Sequence, residues 1–520
     1  MSERANAPVL AEGVNPWLIA IVVALAAFME VLDTTIANVA LRYIAGSLGV
    51  SADESSWVVT TYLVSNAIIV TATSFFAQRF GRKSFFLFCL GLFTVSSVLC
   101  GFAWNLQSLL LFRLMQGFAG GGMVPVAQSI LADSFPPQKR GQAFALFGVA
   151  VVVAPVVGPT LGGWLSDNLS WHWCFLINGP VGLLSMGLIY ALIRETPPVT
   201  KIRFDWVGFV LVACFLGSLE VILDRGQIED WFASRFIVTF TALSALAFIA
   251  LIPWELKQKD PLIDLRMLAS RQFGSCFVVM MATGAILLAT TQFMPQMVQE
   301  DFGYTATWAG LALSPGGVVA MGMMFMVGQL SRRVQPKYLI ATGAAVCALS
   351  MYGLSGLTGD VDFWFFADWR MVISIGLPLI FIPITAASYD GVPAGKTDMA
   401  SALLNAARNT GGSIGVSLAS NVLAHRQQFH LSRLSEQTIP SDIGYQQTVQ
   451  EATHYFATHA GAADAKARAF AYIADQAQQQ ASLLAYIDVF WTLMLISLSA
   501  IPLALLLRKV KLGAAAPAGH

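Results

Sequence analysis

Positions 28–41 read FMEVLDTTIANVAL, inside an apolar stretch that begins near Trp17. Glu30 and Asp33 are three residues apart, which on a helix puts both carboxylates on one face. An acid in a membrane helix is costly and turns toward the protein interior, a wet cavity or a cationic partner. Two questions follow: whether this stretch lies in lipid, and what its acids serve.

The composition answers the first. Of 520 residues, 56% are hydrophobic and 12% are charged, with a mean hydropathy of +0.66. Soluble domains carry about 25% charged residues, so this is a membrane protein. No basic tract or aromatic–basic stripe points to nucleic acid. The six cysteines fall in apolar segments without a CxxC, and none of the six histidines has zinc-ligand spacing, so neither a disulfide framework nor a metal is expected. GxSxG around Ser413 matches a hydrolase elbow only in letters. The elbow needs a preceding strand, and here the string lies in an apolar helix. No enzyme is expected.

A span needs about 20 mostly apolar residues. Fourteen transmembrane helices are expected, near 17–41, 54–77, 84–104, 108–132, 142–165, 172–194, 205–224, 234–254, 273–296, 306–329, 337–357, 369–389, 400–424 and 484–507. With a cytoplasmic N-terminus, inner loops and tails hold twenty Lys and Arg. The short outer loops hold four: Arg42, Arg225, Arg235 and Arg370. That asymmetry puts both termini in the cytoplasm.

Two cytoplasmic loops are alike: SFFAQRFGRKSF (74–85) and GQLSRRVQPKYL (328–339). Each follows the second helix of a six-helix block if spans 7 and 8 are an inserted pair, and internal repeats are common in transporters. The expected fold is an all-α membrane protein of two six-helix bundles. A cytoplasmic tail (1–16) precedes an N-terminal bundle (17–194), an inserted helix pair (205–254), a C-terminal bundle (273–507) and a second cytoplasmic tail (508–520). The C-terminal bundle contains a long outer loop at 425–483, rich in Gln and Ala, that favours helix. A helical hairpin running into the last span is expected there, either docking a partner or forming a solvated cap.

Arg113, in LLLFRLMQGFAGG (109–121), is a cation within a span and needs an acid. Glu30 and Asp33 are its partner candidates, in a functional or a purely structural ion pair. APVVGPTLGGWL (154–165) combines Pro155 and Pro159, which weaken the helical ladder, with Gly158, Gly162 and Gly163, which allow close approach. This is a pliable helix at a moving interface or ordinary close packing. Asn405 and Arg408, in LLNAARNTGGSIGVSLASN (403–421), are cavity or gate candidates. Thr34, Asn38 and Gln116 join them as substrate-cavity candidates. Glu220 and Asp224, near the outer end of span 7, are explained by snorkelling to the interface.

LDTTIANVAL (32–41), RFGRK (79–83), RLMQG (113–117) and GPTLGG (158–163) together resemble the signature motifs of the major facilitator superfamily. WHWCFLINGPVG (171–182) and FGYTATWAGLALSPGG (302–317) also resemble it. The fourteen spans are similar to its fourteen-helix drug:proton antiporters, and the large loop before the last helix resembles EmrB-type multidrug exporters of Gram-negative bacteria. The resemblance implies rocker-switch alternating access and export of hydrophobic or amphipathic compounds, driven by the proton gradient with no bound cofactor. It makes Asp33 the proton-coupling acid with Arg113 as partner. A gating role falls to Arg79, Gly81, Arg82 and Lys83, and an antiporter-helix role to Gly158, Pro159, Gly162 and Gly163. It also implies a bacterial inner-membrane location, a periplasmic membrane-fusion adaptor and an outer-membrane channel. The family's first loop starts with Gly and has an acid before its Arg; here those positions are Ser74 and Gln78. Glu30 lies outside the family pattern and is read from its position as a second proton site or a contact for cationic substrate. A dedicated exporter of one compound (a fatty acid, siderophore or metabolite) and a non-transporting receptor or scaffold are the competing readings.

Overall fold

The computed structural model describes residues 15–199, 202–259, 261–390, 392–393, 396–437, 443–460 and 464–509. Most of the expected tails, 1–14 and 510–520, lie outside the described residues. The first half holds α1 (Pro16–Leu48), α2 (Ala52–Phe80), α3 (Arg82–Gly101), α4 (Leu106–Ser134), α5 (Pro137–Asn168), α6 (Trp173–Leu176) and α7 (Asn178–Leu192). Next come α8 (Trp206–Arg225), α9 (Arg235–Lys257) and α10 (Leu265–Leu268). The second half holds α11 (Arg271–Glu300), α12 (Ala306–Leu330), α13 (Pro336–Leu354), α14 (Phe363–Ser388), α15 (Thr397–Gln437), α16 (Ile443–Ala460) and α17 (Ala465–Leu505).

Among the described residues there is no β-strand, and twelve helices are long and apolar enough to cross a membrane. The count is thirteen when α5, bent by 42° between Lys139–Pro155 and Val157–Asn168, is taken as one span. Proline explains the bend: Pro159 has no N–H to offer the Pro155 carbonyl one turn back. α15 covers the expected span at 400–424 but is too polar to join that count. Helix ends are set by local chemistry. Ser51 and Glu54 form a reciprocal capping box at α2, Asn105 and Ser108 do the same at α4, and Asp362 caps α14 through the Phe365 N–H.

Packing follows a repeated plan. α1 lies on α5, α2 and α3 on α4, and α3 on α7; likewise α11 lies on α15, α12 and α13 on α14, and α13 on α17. The two sets meet where α5 packs on α12 and α2 on α15, with α4 against α15 and α14 against α5. Glycine permits the α5–α12 contact along its length. A Cβ on Gly310 would sit 2.0 Å from Thr160 Oγ1, and one on Gly328 would sit 2.9 Å from Ala145 Cβ. α8 pairs with α9 and covers the seam between α2 and α15.

Two readings are corrected here. α14 starts at Phe363, six residues earlier than 369, so Arg370 is a buried residue of a membrane helix rather than an outer-loop charge. Asp362 and Asp368 flank the true start and make it read as loop. Glu220 does not snorkel: it is 3% exposed, held against Ser413 of α15. Within 425–483, α15 and α17 run on as continuous 41-residue helices, and α16 packs on α17.

Candidate functional site

α1 carries Asp33 and α4 carries Arg113 into the same buried interior, where they are 1% and 0% exposed. Arg113 Nη1 donates to Asp33 Oδ2 at 2.6 Å and to Gln116 Oε1 at 2.8 Å. The other Asp33 oxygen accepts from Gln116 Nε2 at 2.9 Å and from Asn178 Nδ2 at 2.7 Å. Arg113 Nε donates to the Val58 carbonyl at 3.1 Å, and its guanidinium lies over the Tyr62 ring at 4.7 Å. The buried carboxyl is met by three donors, and removal of either member of the ion pair leaves the other without its partner. Asn178 sits at the start of α7, fixed by a bond to Ser97 Oγ at 3.0 Å. The sequence alone does not mark it, because an uncharged amide in NGPVG looks like a turn signal. Gln116, expected to face substrate, belongs to this charge network.

Glu30 lies elsewhere. Its Oε1 accepts from Asn66 Nδ2 at 3.2 Å, and Asn66 Oδ1 accepts from Asn409 Nδ2 of α15 at 3.1 Å. Arg408 is close enough for its charge to act on Glu30. The two acids on one face of α1 therefore divide: Asp33 faces α4 and α7, and Glu30 faces the α2–α15 seam. Thr34 donates back to the Val31 carbonyl at 2.8 Å, and Asn38 is exposed. Asn405 Nδ2 donates to Gln128 Oε1 of α4 at 2.7 Å, a bond across the two helix sets.

The α2–α3 loop joins the two sets at the end that bears the basic loops. Arg82 donates from Nε and Nη2 to both oxygens of Asp398 on α15, at 2.8 and 3.2 Å, and from Nη1 to Asp133 on α4 at 2.6 Å. Neither acid stands out in the sequence, because each lies at a helix end, where a solvated acid is ordinary. Gly81 has φ +90°, and a Cβ there would lie 2.1 Å from Glu195 Oε1, so conformation and space both require glycine. Lys83 Nζ donates to the Tyr190 carbonyl at 2.7 Å. Arg79, the remaining member of the loop motif, is also engaged in interactions. Nearby, Ser401 Oγ donates to the Pro125 carbonyl, and Phe144 stacks on Tyr389 at 5.6 Å. This end is sealed.

On α5, a Cβ at Gly158 would meet Thr35 Oγ1 at 2.0 Å, and one at Gly162 would meet Ile36 Cα at 3.2 Å. Both glycines therefore let α5 ride on the helix that carries Asp33. Pro155 and Gly163 are buried, and Pro159 is partly exposed.

The major facilitator superfamily profile matches residues 23–416. The chain belongs to the major facilitator superfamily. It is 35% identical over 478 residues to the multidrug export protein EmrB of Haemophilus influenzae, covering 91% of this chain and 92% of that one. It is 37% identical over 420 residues to the fatty acid resistance protein FarB of Neisseria gonorrhoeae, covering 80% and 82%. Among solved structures, the proton:xylose symporter XylE superposes with a TM-score of 0.57 at 13% identity, over 94% of this chain and 96% of that one. That likeness carries the superfamily fold alone.

Proposed function

We propose that this superfamily member exports hydrophobic and amphipathic drugs across the bacterial inner membrane by proton-coupled alternating access. Transport rather than catalysis is the activity, with small molecules as substrates and the proton gradient as the energy source. The observation that carries the coupling is the buried Asp33–Arg113 pair, braced by Gln116 and Asn178. Protonation of Asp33 neutralises one partner and weakens its hold on Arg113, so the proton affinity of Asp33 alternates with the pairing. With the basic loops in the cytoplasm, protons load from outside and leave inward, and the membrane potential adds about 2.3 kcal/mol per charge per 100 mV.

Arg82, Asp133 and Asp398 are read as the cytoplasmic gate, with fourteen spans, both termini inside, and bundles at 17–194 and 273–507 around the inserted pair. The long helices α15 and α17 support docking of a periplasmic membrane-fusion adaptor that leads to an outer-membrane channel. The FarB similarity favours a second reading, a dedicated fatty-acid exporter. Proteoliposomes distinguish the two. A multidrug exporter releases protons in response to chemically varied substrates, and a dedicated one responds only to fatty acids. Asp33→Asn is expected to bind substrate but release no protons; proton release at the wild-type level would remove Asp33 as the coupling group.

A further inference from the structure

The two helix sets place an arginine at the same point. Arg113 stands eight residues after the N-cap Asn105 on α4, the fourth long helix of the first set. Arg370 stands eight residues after the N-cap Asp362 on α14, the fourth long helix of the second. Each is buried, Arg370 at 2% exposure. Each turns toward the first helix of its own set: Arg113 to Asp33 on α1, Arg370 to Thr290 on α11. There the likeness stops. Where the first set supplies a carboxylate, the second supplies a hydroxyl, at 3.4 Å from Arg370 Nη1. Thr290 Oγ1 already donates to the Ile286 carbonyl at 2.7 Å. Among the described residues Arg370 Nε has no hydrogen-bond partner, and no acid pairs with this guanidinium.

A buried carboxylate can shed its charge by taking a proton, but a guanidinium stays charged. An unpaired cation in the membrane interior is costly, so the missing anion must come from outside the chain. Gly316 lets α12 pack directly on the arginine stem, since a Cβ there would lie 2.7 Å from Arg370 Cγ and 2.8 Å from Ser374 Oγ. The site thus combines a buried guanidinium, its Nε without a partner, with the Thr290 hydroxyl of α11.

We propose that Arg370 binds a monoanion, with the carboxylate of an amphipathic exported acid as its ligand class. Chloride offers the same charge from a second source. The proposal rests on the export reading only for the direction of travel. Equilibrium binding is measured without a pH gradient, so a chain that binds but fails to transport would sink that reading and leave this one standing.

The test uses the full chain in phosphatidylcholine nanodiscs, with radiolabelled dodecanoate as the anionic probe and tetraphenylphosphonium as the cationic one. Arg370→Gln is expected to lower dodecanoate affinity at least about 30-fold relative to tetraphenylphosphonium in the same protein. Thr290→Asp supplies an internal counter-ion as Asp33 does for Arg113. It is expected to fold and to lose dodecanoate binding, which keeps the test decisive if Arg370→Gln misfolds. Titrating chloride against gluconate separates the sources. Chloride that displaces dodecanoate from the wild type, where gluconate does not, marks an inorganic anion sharing the site. Chloride without effect on the wild type leaves the substrate carboxylate as the ligand. Wild-type dodecanoate affinity in both variants overturns the proposal.

Discussion

Asp33 and Arg113 are the residues whose roles are most constrained by burial. Each is inaccessible, and each has polar partners that cannot follow it if it is removed. Arg113→Met leaves the carboxylate unpaired and is expected to cost about 3–5 kcal/mol of stability. Arg113→Met combined with Asp33→Asn should recover part of that loss, read as thermal unfolding in detergent. Equal instability of the single and double variants would mean that the pair's charge is not what matters. This pairing was legible in the sequence because a charge in an apolar run demands an opposite charge. Asn178 was not legible, since an amide makes no such demand. Arg370 was hidden by two nearby aspartates that moved the apparent helix start to 369, so that it read as a charge at the outer edge.

At the scale of elements, helix ends and contacts decide what each segment tolerates. The α2–α3 corner requires Gly81 twice over, through its φ of +90° and through Glu195. Gly81→Ala should destabilise this corner by more than about 1 kcal/mol and speed hydrogen exchange at the start of α3. A pH-sensitive contact lies at the other end of the molecule, where α17 meets the end of α11. Asp301 accepts from Ser482 Oγ at 3.1 Å, and its backbone carbonyl accepts from Gln479 Nε2 at 2.6 Å. Burial, opposed by the Ser482 bond and aided by Glu300, pushes the Asp301 carboxyl up from 3.8 to about 6. The folded form therefore holds this proton more tightly than the unfolded chain does. The stabilisation is complete below about pH 4 and is lost as pH rises through 6. Protection factors for hydrogen exchange near 479–482, referred to the intrinsic rate at each pH, should be larger at pH 5 than at pH 7.5, and Asp301→Asn should flatten the difference. The helical character of this region was legible from its Ala and Gln content. The register that brings Ser482 to Asp301 was not, because many polar residues of α17 were equally placed to meet the end of α11.

At the scale of the molecule, two similar helix sets are joined by different chemistry at different places. α5 and α12 meet through glycine and small side chains, which slide without losing strong bonds. The basic-loop end is held by the Arg82 fork on Asp398. Arg82→Lys keeps the charge but loses the bidentate geometry, so it should open that end. Spin labels at Lys139 and Arg332 should report a longer mean distance in the variant than in the wild type; an unchanged distribution would show that the fork does not hold the two sets together. The repeated packing was foreshadowed by two basic loops, one in each half. The division of labour between glycine seam and charged clasp could not be read from either loop alone, because Asp398 lies 316 residues from its partner.

α15 and α17 are each 41 residues long, about 60 Å of unbroken helix. About half of that length exceeds what a bilayer core of roughly 30 Å needs. These helices are rigid spars rooted in the second set, so any tilt of that set is written at their tips. A tilt of about 10° over a lever of about 30 Å sweeps the tip by about 5 Å. A fluorophore pair on the hairpin and α9 would thus read the state of the transport core from outside the membrane. A tilt of the second set would carry with it whatever sits on the hairpin.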